Sequence, residues 1–185
     1  MQITTPPIIH TERLLLRLVR REDLPALFDV NSNPAVTQFL PYPAWQTMDD
    51  ANVWYERTLT RQETGAAWQF AIVLQQTGLA LGTCLLFNFD PSSRRAETGY
   101  VLGQAHWSKG YASEAMRGLI AYAFDTLDLR RLEAQINPNN VASCALIERL
   151  GFAREGLLRE RFFDNGAFCD SAFYGLLREL PPTPM

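Results

Sequence analysis

The segment that most constrains this chain runs from Ala112 to Leu127. Ala112, Ala115, Met116, Leu119, Ile120, Ala123, Phe124 and Leu127 recur at helical spacing and predict a helix with one apolar face. Such a face needs a second layer to bury it, and the flanking sequence reads as strands. Trp68–Leu74 and Leu79–Phe89 are β-rich runs joined by the hairpin signal Gln76-Thr77-Gly78. Pro91-Ser92-Ser93 marks the next turn and Glu97–Leu102 a third strand. Beyond the helix, Arg131–Asn137 reads as a strand and Val141–Leu150 as a helix, with Gly151 placed to end it in the left-handed conformation. Two strands around the turn Asp164-Asn165-Gly166 close the chain.

Ahead of the meander, Leu14–Leu18 is a strand and Glu22–Asn31 a helix that Asn33-Pro34 breaks. Thr47-Met-Asp-Asp50 is a capping box with Asp in place of Glu, opening a helix to about Arg61. The order is strand, two helices, three-strand meander, helix, strand, helix, hairpin. That is mixed α/β, without the strict alternation of a doubly wound sheet. A chain of 185 residues, 47% hydrophobic and 20% charged, fits one domain over 1–185 with one sizeable core.

Other classes drop out. No apolar run approaches the roughly 20 residues of a membrane helix, and Met1 to Pro7 lacks the pattern of a signal peptide, so a cytoplasmic protein is expected. A net charge of −3 argues against general nucleic-acid binding. Cys84, Cys144 and Cys169 have neither an even count nor C-x-x-C spacing, and His10 and His106 stand far apart. Neither a disulfide framework nor a metal site is expected.

Chemistry concentrates at Trp107-Ser-Lys-Gly-Tyr-Ala-Ser113, between a strand and the amphipathic helix. Free N–H groups and the helix dipole make such a junction an anion site. Gly110 lets backbone approach a phosphate, and Lys109 adds a cation. The same residues also suit an ordinary strand-to-helix loop. The Walker and G-x-G-x-x-G patterns are absent, which disfavours NTPase and dinucleotide readings.

Glu97-Thr-Gly-Tyr-Val-Leu102 followed by Trp107-Ser-Lys-Gly-Tyr-Ala-Ser-Glu-Ala115 resembles the acetyl-CoA motif of the GNAT acetyltransferases, in the variant of the RimJ/RimL-like branch. Thr11-Glu-Arg-Leu-Leu-Leu-Arg17 resembles that branch's opening strand, and Asn140-Val-Ala-Ser143, Leu150-Gly-Phe152 and Glu155-Gly156 match a further block. The resemblance covers about Thr11 to Leu177. It implies a splayed, mostly antiparallel sheet of about six to seven strands with about four helices. It also implies acetyl-CoA as co-substrate, an amine acceptor and a homodimer. The pantetheine arm would lie between the strands Glu97–Leu102 and Arg131–Asn137, bonded by backbone of Tyr100 and Leu102, with Val101 between them also in the cofactor site. Trp107, Ser108, Lys109, Gly110, Tyr111, Ala112 and Ser113 would surround the pyrophosphate. Oriented local dipoles would let an acidic protein hold a polyanion.

In this family an amine attacks the thioester directly, so the protein supplies proximity, a neutral amine, polarisation and a proton for the thiolate. The Tyr that many members use as proton donor is Ile147 here. The branch uses the Ser of Asn-x-x-Ser, which is Ser143; a helix N-terminal capping role fits the same residue. Asn140 is a cap, a CoA contact, or both. The Glu that part of the branch places nineteen residues after that Ser is Phe162 here. Glu160, on the same strand face if no bulge intervenes, and Glu97 are the candidate bases.

A lysine amine near pKa ~10.4 is neutral about once in two thousand at pH 7, an α-amine near ~7.7–8.0 about a tenth of the time. The difference, roughly 3–4 kcal/mol, favours a protein or peptide N-terminus as acceptor, such as that of a ribosomal protein. A small-molecule amine such as a polyamine and a non-catalytic acyl-CoA-binding module are the alternatives. Phe39, Tyr42, Trp45 and Trp54 line the acceptor or simply pack, since pockets and cores share aromatic composition. Phe162, Phe163, Phe168, Phe173 and Tyr174 read as core or dimer surface.

Overall fold

In the computed structural model, which describes residues 7–164 and 167–179, strand β3 (Ala67–Leu74) is buried almost throughout because both its faces are covered. Trp68, Phe70 and Ile72 join one apolar cluster with Met116 and Leu119 of helix α4 (Tyr111–Ala121). Ala71 and Val73 join a second, with Leu24 and Leu27 of α1 (Leu24–Asn31) and Ala51 and Tyr55 of α3 (Met48–Glu63). Side-chain alternation along one strand thus feeds two cores.

The other strands are β1 (Ile8–His10), β2 (Leu14–Leu18), β4 (Ala80–Asp90), β5 (Arg95–Leu102), β6 (Arg131–Ile136), β7 (Ala153–Asp164) and β8 (Ala167–Leu177). Among the described residues they form one sheet of eight strands in the order β1-β2-β3-β4-β5-β6-β8-β7. Every neighbouring pair is antiparallel except β5 and β6. That parallel pairing is short: Arg95, Ala96 and Glu97 face Arg131, Leu132 and Glu133, and no pairs follow. The edge of β5 from Thr98 to Leu102 therefore has no strand neighbour on that side, and a wedge opens in the middle of the sheet.

Local sequence explains most boundaries. Asp50 accepts the N–H groups of Thr47 at 2.9 Å and Gln46 at 2.8 Å, satisfying donors at the start of α3. Gly151 follows α5 (Val141–Arg149) at φ +93°, the left-handed stop expected of it. The apolar stripe predicted to run helically through Leu127 breaks phase: after Ala121 the chain makes a π turn over Tyr122–Thr126, with Leu127 N–H bonded to Tyr122 O at 3.1 Å. Ala123, Phe124 and Leu127 still reach the core.

Two elements exceed the expected count. The short strand β1 pairs with β2, and α2 (Pro34–Thr37) follows Asn33-Pro34. That dipeptide ends α1 and also starts a helix, because Asn33 accepts the N–H of Ala35 at 2.9 Å and Pro34 takes the first helical position. Tyr174 turns into the core and Phe173, on the opposite face of β8, is half-buried, whereas Phe162, Phe163 and Phe168 are exposed on the outer hairpin. Asn165 and Gly166 of the expected tail turn, and Met1 to Pro6 of the segment read for a signal peptide, lie outside the described residues. No described helix is long and apolar enough to cross a membrane.

Candidate active site

The wedge between β5 and β6 opens into a cleft of about 820 Å³. One wall is β5 from Tyr100 to Leu102; a second is the loop before α4 and its first turn; a third is the N-terminal half of α5. Tyr100, Val101, Leu102, Trp107, Ser108, Gly110, Tyr111, Ala112, Ser113, Asn140 and Ser143 all line it, as does Phe39. Lys109 is exposed beside the loop, its carbonyl accepting a bond from Arg13.

The loop geometry follows from two left-handed residues, Ser108 at φ +58° and Gly110 at φ +81°. They turn the chain so that α4 starts on Gly110 with no side-chain cap. The first N–H of this stretch to find a protein acceptor is that of Glu114, bonded to Gly110 O at 3.0 Å. The N–H groups from Ser108 to Ser113 have no acceptor among the described residues. Six consecutive free donors at a helix N-terminus fit the phosphates of a nucleotide-like ligand.

A brace that sequence reasoning missed holds this loop. Glu114 Oε1 accepts from Thr11 Oγ1 at 2.6 Å and from the Arg13 N–H at 2.7 Å, and Oε2 accepts from Arg13 Nε at 2.7 Å. Arg13 also donates to Lys109 O at 3.1 Å and lies 4.6 Å from the centre of the Tyr111 ring. Burial pushes Glu114 up, but the bonds from Thr11 and Arg13 outweigh it and hold the carboxylate below its ordinary range. On β5, Trp107 Nε1 donates to Leu102 O at 2.7 Å, tying the loop to the strand edge.

At the start of α5, Asn140 Oδ1 accepts the N–H of Ser143 at 3.1 Å, so Asn140 is the cap. Ser143 sits inside the first turn, and its Oγ lies 2.9 Å from the hydroxyl of Tyr100. Ile147 is buried in the core, away from any donor role. Leu146 and Arg149, about one and two turns beyond Ser143, also line the cleft, together with Ala35, Val36, Gln38 and Leu40. The signal for the latter group was Asn33-Pro34, read only as a break.

The candidate bases part company. Glu97 stands at the last paired position before the wedge, on the sheet face opposite Ala96 and Tyr100. It accepts from Asn88 Nδ2 at 2.9 Å and Gln135 Nε2 at 3.2 Å. Glu160 is exposed on the outer hairpin, where a bulge between Leu158 and Phe162 breaks the alternation that would align it with Phe162. Its backbone is left-handed at φ +50° and its N–H bonds Asp170 at 2.9 Å.

The aromatic wall is also corrected. Trp45 is buried, its ring 5.5 Å from that of Trp54, and both pack in the α1–α3 core. Tyr42 donates to Asn31 Oδ1 at 3.1 Å, and burial pushes its phenol up to about 12. None of these three lines the cleft; only Phe39 does.

Residues 13–153 match the family model described as an acetyltransferase (GNAT) domain. The chain is 36% identical over 170 residues to the uncharacterized N-acetyltransferase p20 of Bacillus licheniformis, covering 92% of this chain and 96% of that protein. A spermidine N-acetyltransferase from Vibrio cholerae, solved with CoA and spermine, aligns with a TM-score of 0.78 at 25% identity, over 89% of this chain and 95% of that one. Mycobacterium smegmatis RimJ, solved with CoA-disulfide, shares the fold with a TM-score of 0.88 at 22% identity, over 99% and 93% of the two chains.

Proposed function

This chain belongs to the GNAT family and is an acetyl-CoA-dependent N-acetyltransferase, and from that premise we propose that its acceptor is the α-amine of a peptide or protein N-terminus. Acetyl-CoA supplies the activated thioester. The observation that carries the reading is one continuous cleft: six free N–H groups at one end, an unpaired strand edge along its length, and the Ser143 and Tyr100 hydroxyls within it. The first would hold the pyrophosphate, the second the amide groups of pantetheine as a strand would, and Ser143 of the third the sulfur.

The wedge gives the two substrates separate approaches. With CoA on the α4 side, the amine enters from the opposite face, where Glu97 marks the start of the opening. As the C–N bond forms and the C–S bond breaks, the amine loses a proton toward Glu97 and the sulfur gains one from Ser143. Tyr100 lies three residues beyond Glu97, about 10 Å along an extended strand, so water completes the path to the base. A carboxylate acting through water suits an α-amine, about a tenth of which is neutral at pH 7, better than a lysine amine.

Thiol release from acetyl-CoA, followed over short peptides with free Ala, Ser or Met N-termini and over spermidine, tests the acceptor. Higher kcat/KM for the peptides is expected. Turnover confined to spermidine would move the assignment to small amines, and none with any amine would favour the non-catalytic acyl-CoA-binding module. We propose further that the exposed Phe162, Phe163 and Phe168 form a homodimer surface. Light scattering should give twice 21.0 kDa, and a monomer at working concentration would reject that surface.

A further inference from the structure

The hydroxyl of Ser143 turns away from its own helix to a side chain of the opposite wall. In α3, Thr60 Oγ1 donates to Glu56 O at 3.1 Å, and Thr64 at its C-terminal cap donates to Thr60 O at 2.9 Å, the usual back-bond to the preceding turn. Ser143 makes no such bond; among the described residues its Oγ has one hydrogen-bond partner, the hydroxyl of Tyr100 at 2.9 Å. Its N–H is already held by the Asn140 cap. The helix has fixed the backbone of Ser143 while leaving its hydroxyl to a residue from the opposite wall.

Acid strength gives that contact a direction. A hydroxyl resembling water, near 15.7, is a weaker acid than a thiol near 8.5 by about ten-millionfold. Ser143 alone is therefore a poor proton source for a departing thiolate. An unperturbed phenol, near 10, is weaker than the same thiol by only about thirtyfold, and although burial widens that gap for Tyr100, its phenol starts much closer to the thiol than a serine hydroxyl does. Either oxygen can donate at 2.9 Å, but the phenol is the stronger acid of the pair, and the serine hydroxyl, with one proton and two lone pairs, can pass a proton on.

We propose that Tyr100 is the proton reservoir of this active site and acts through Ser143, which relays the proton to the CoA sulfur. This rests on the acetyl transfer proposed above. The balance is complete: the Ser143 proton goes to the sulfur as the C–S bond breaks, the Tyr100 proton moves to Ser143 Oγ, and solvent reprotonates the phenolate. Tyr100 touches Ser143 rather than substrate, so it is a positioning and relay residue. Burial pushes its phenol up, against the weaker opposing effect of the Ser143 bond, which keeps it protonated before each turnover. The same confinement disfavours a free thiolate.

The test is a double-mutant cycle on Tyr100→Phe, Ser143→Ala and the double variant, with kcat, KM for acetyl-CoA, CoA affinity and melting temperature measured on each. Phe keeps the ring in the wall and removes only the hydroxyl. Tyr100→Phe should lower kcat by about 10²-fold or more, the low end of general acid effects. CoA affinity and melting temperature should stay near those of the wild type. Ser143→Ala should lose as much, and the double variant should lose no more than the larger single loss. Normal kcat in Tyr100→Phe, or multiplicative losses in the double variant, would overturn the relay while leaving acetyl transfer standing. Absence of wild-type turnover with any amine would remove both.

Discussion

Asn140 and Ser143 stand three residues apart at one helix start, and the structure divides their duties. Asn140 holds an N–H of the first turn, so Asn140→Ala should cost about 0.5–2 kcal/mol in stability. It should leave the chemistry largely intact. Ser143→Ala should do the reverse, lowering kcat with little change in melting temperature, because its hydroxyl bonds nothing in the helix. Melting curves and kcat on both variants separate the roles, and a stability loss confined to Ser143→Ala would make it the cap after all. Glu97 admits a test that does not depend on its distance from the amine. If its carboxylate receives the proton, Glu97→Gln should lose rate most near neutral pH and recover as pH rises, when solvent deprotonates the amine instead. An unchanged pH–rate profile would assign that step to water alone. Such single-residue roles were only partly legible in sequence. The Asn-x-x-Ser pattern located the pair, but which member caps depends on where α5 begins. The alignment of Glu160 with Phe162 depended on the absence of a bulge, and a bulge leaves no spacing signal in one sequence.

At the scale of elements, the loop before α4 was the most legible feature, since a strand, a glycine and an amphipathic helix in that order leave few alternatives. Its brace was not, because Arg13 and Glu114 are far apart in sequence and meet only once β2 and α4 pack. Gly110 is left-handed, and a Cβ there would come within 3.3 Å of Arg13 Nη2. Gly110→Val should lose about 1–2 kcal/mol through the backbone, together with most CoA affinity, as the side chain crowds the free N–H groups. Gly78→Val is the control: it too is left-handed, with nothing within 4 Å of its Cβ. It should lose stability and keep CoA affinity, and equal affinities in the two variants would refute the cradle. The brace also predicts a pH dependence. Glu114 has a folded pKa below its unfolded value, so its contribution is complete above the ordinary Glu value of about 4.3 and disappears as pH falls through the lower folded value. A melting series from neutral to acid pH should therefore fall less steeply for Glu114→Gln than for the wild type. Parallel curves would show that the brace carries no proton linkage. The aromatic segment from Phe39 to Trp45 illustrates the opposite limit of legibility: only packing reveals that Trp45 fills a core with Trp54 while Phe39 and Leu40 reach the cleft.

For the whole molecule, the unusual fact is that a chain of net charge −3 binds a polyanion. Long-range electrostatics works against the encounter, so affinity must come from contacts that act at bonding distance. We propose that the six free N–H groups from Ser108 to Ser113 supply such contacts, with the dipole of α4 adding roughly half a positive charge at the same place. This arrangement has a measurable signature. Binding through many lysines and arginines weakens steeply with salt, because exposed charges are screened within about 8–10 Å at 0.1–0.15 M. Hydrogen bonds from a fixed backbone are screened far less. Raising salt from 50 to 200 mM should therefore change CoA affinity by less than about threefold, since added ions also relieve repulsion from the acidic surface. Thermal melting provides the readout. At a CoA concentration about a hundredfold above Kd, binding to the folded state alone contributes about 2.7 kcal/mol. For a chain of this size that raises the melting temperature by about 5–10 °C. The rise should persist at both salt concentrations and vanish in Gly110→Val. A rise present at low salt and lost at 200 mM would mean that Lys109, Arg149 and other surface cations hold the phosphates, and that the backbone cradle does not.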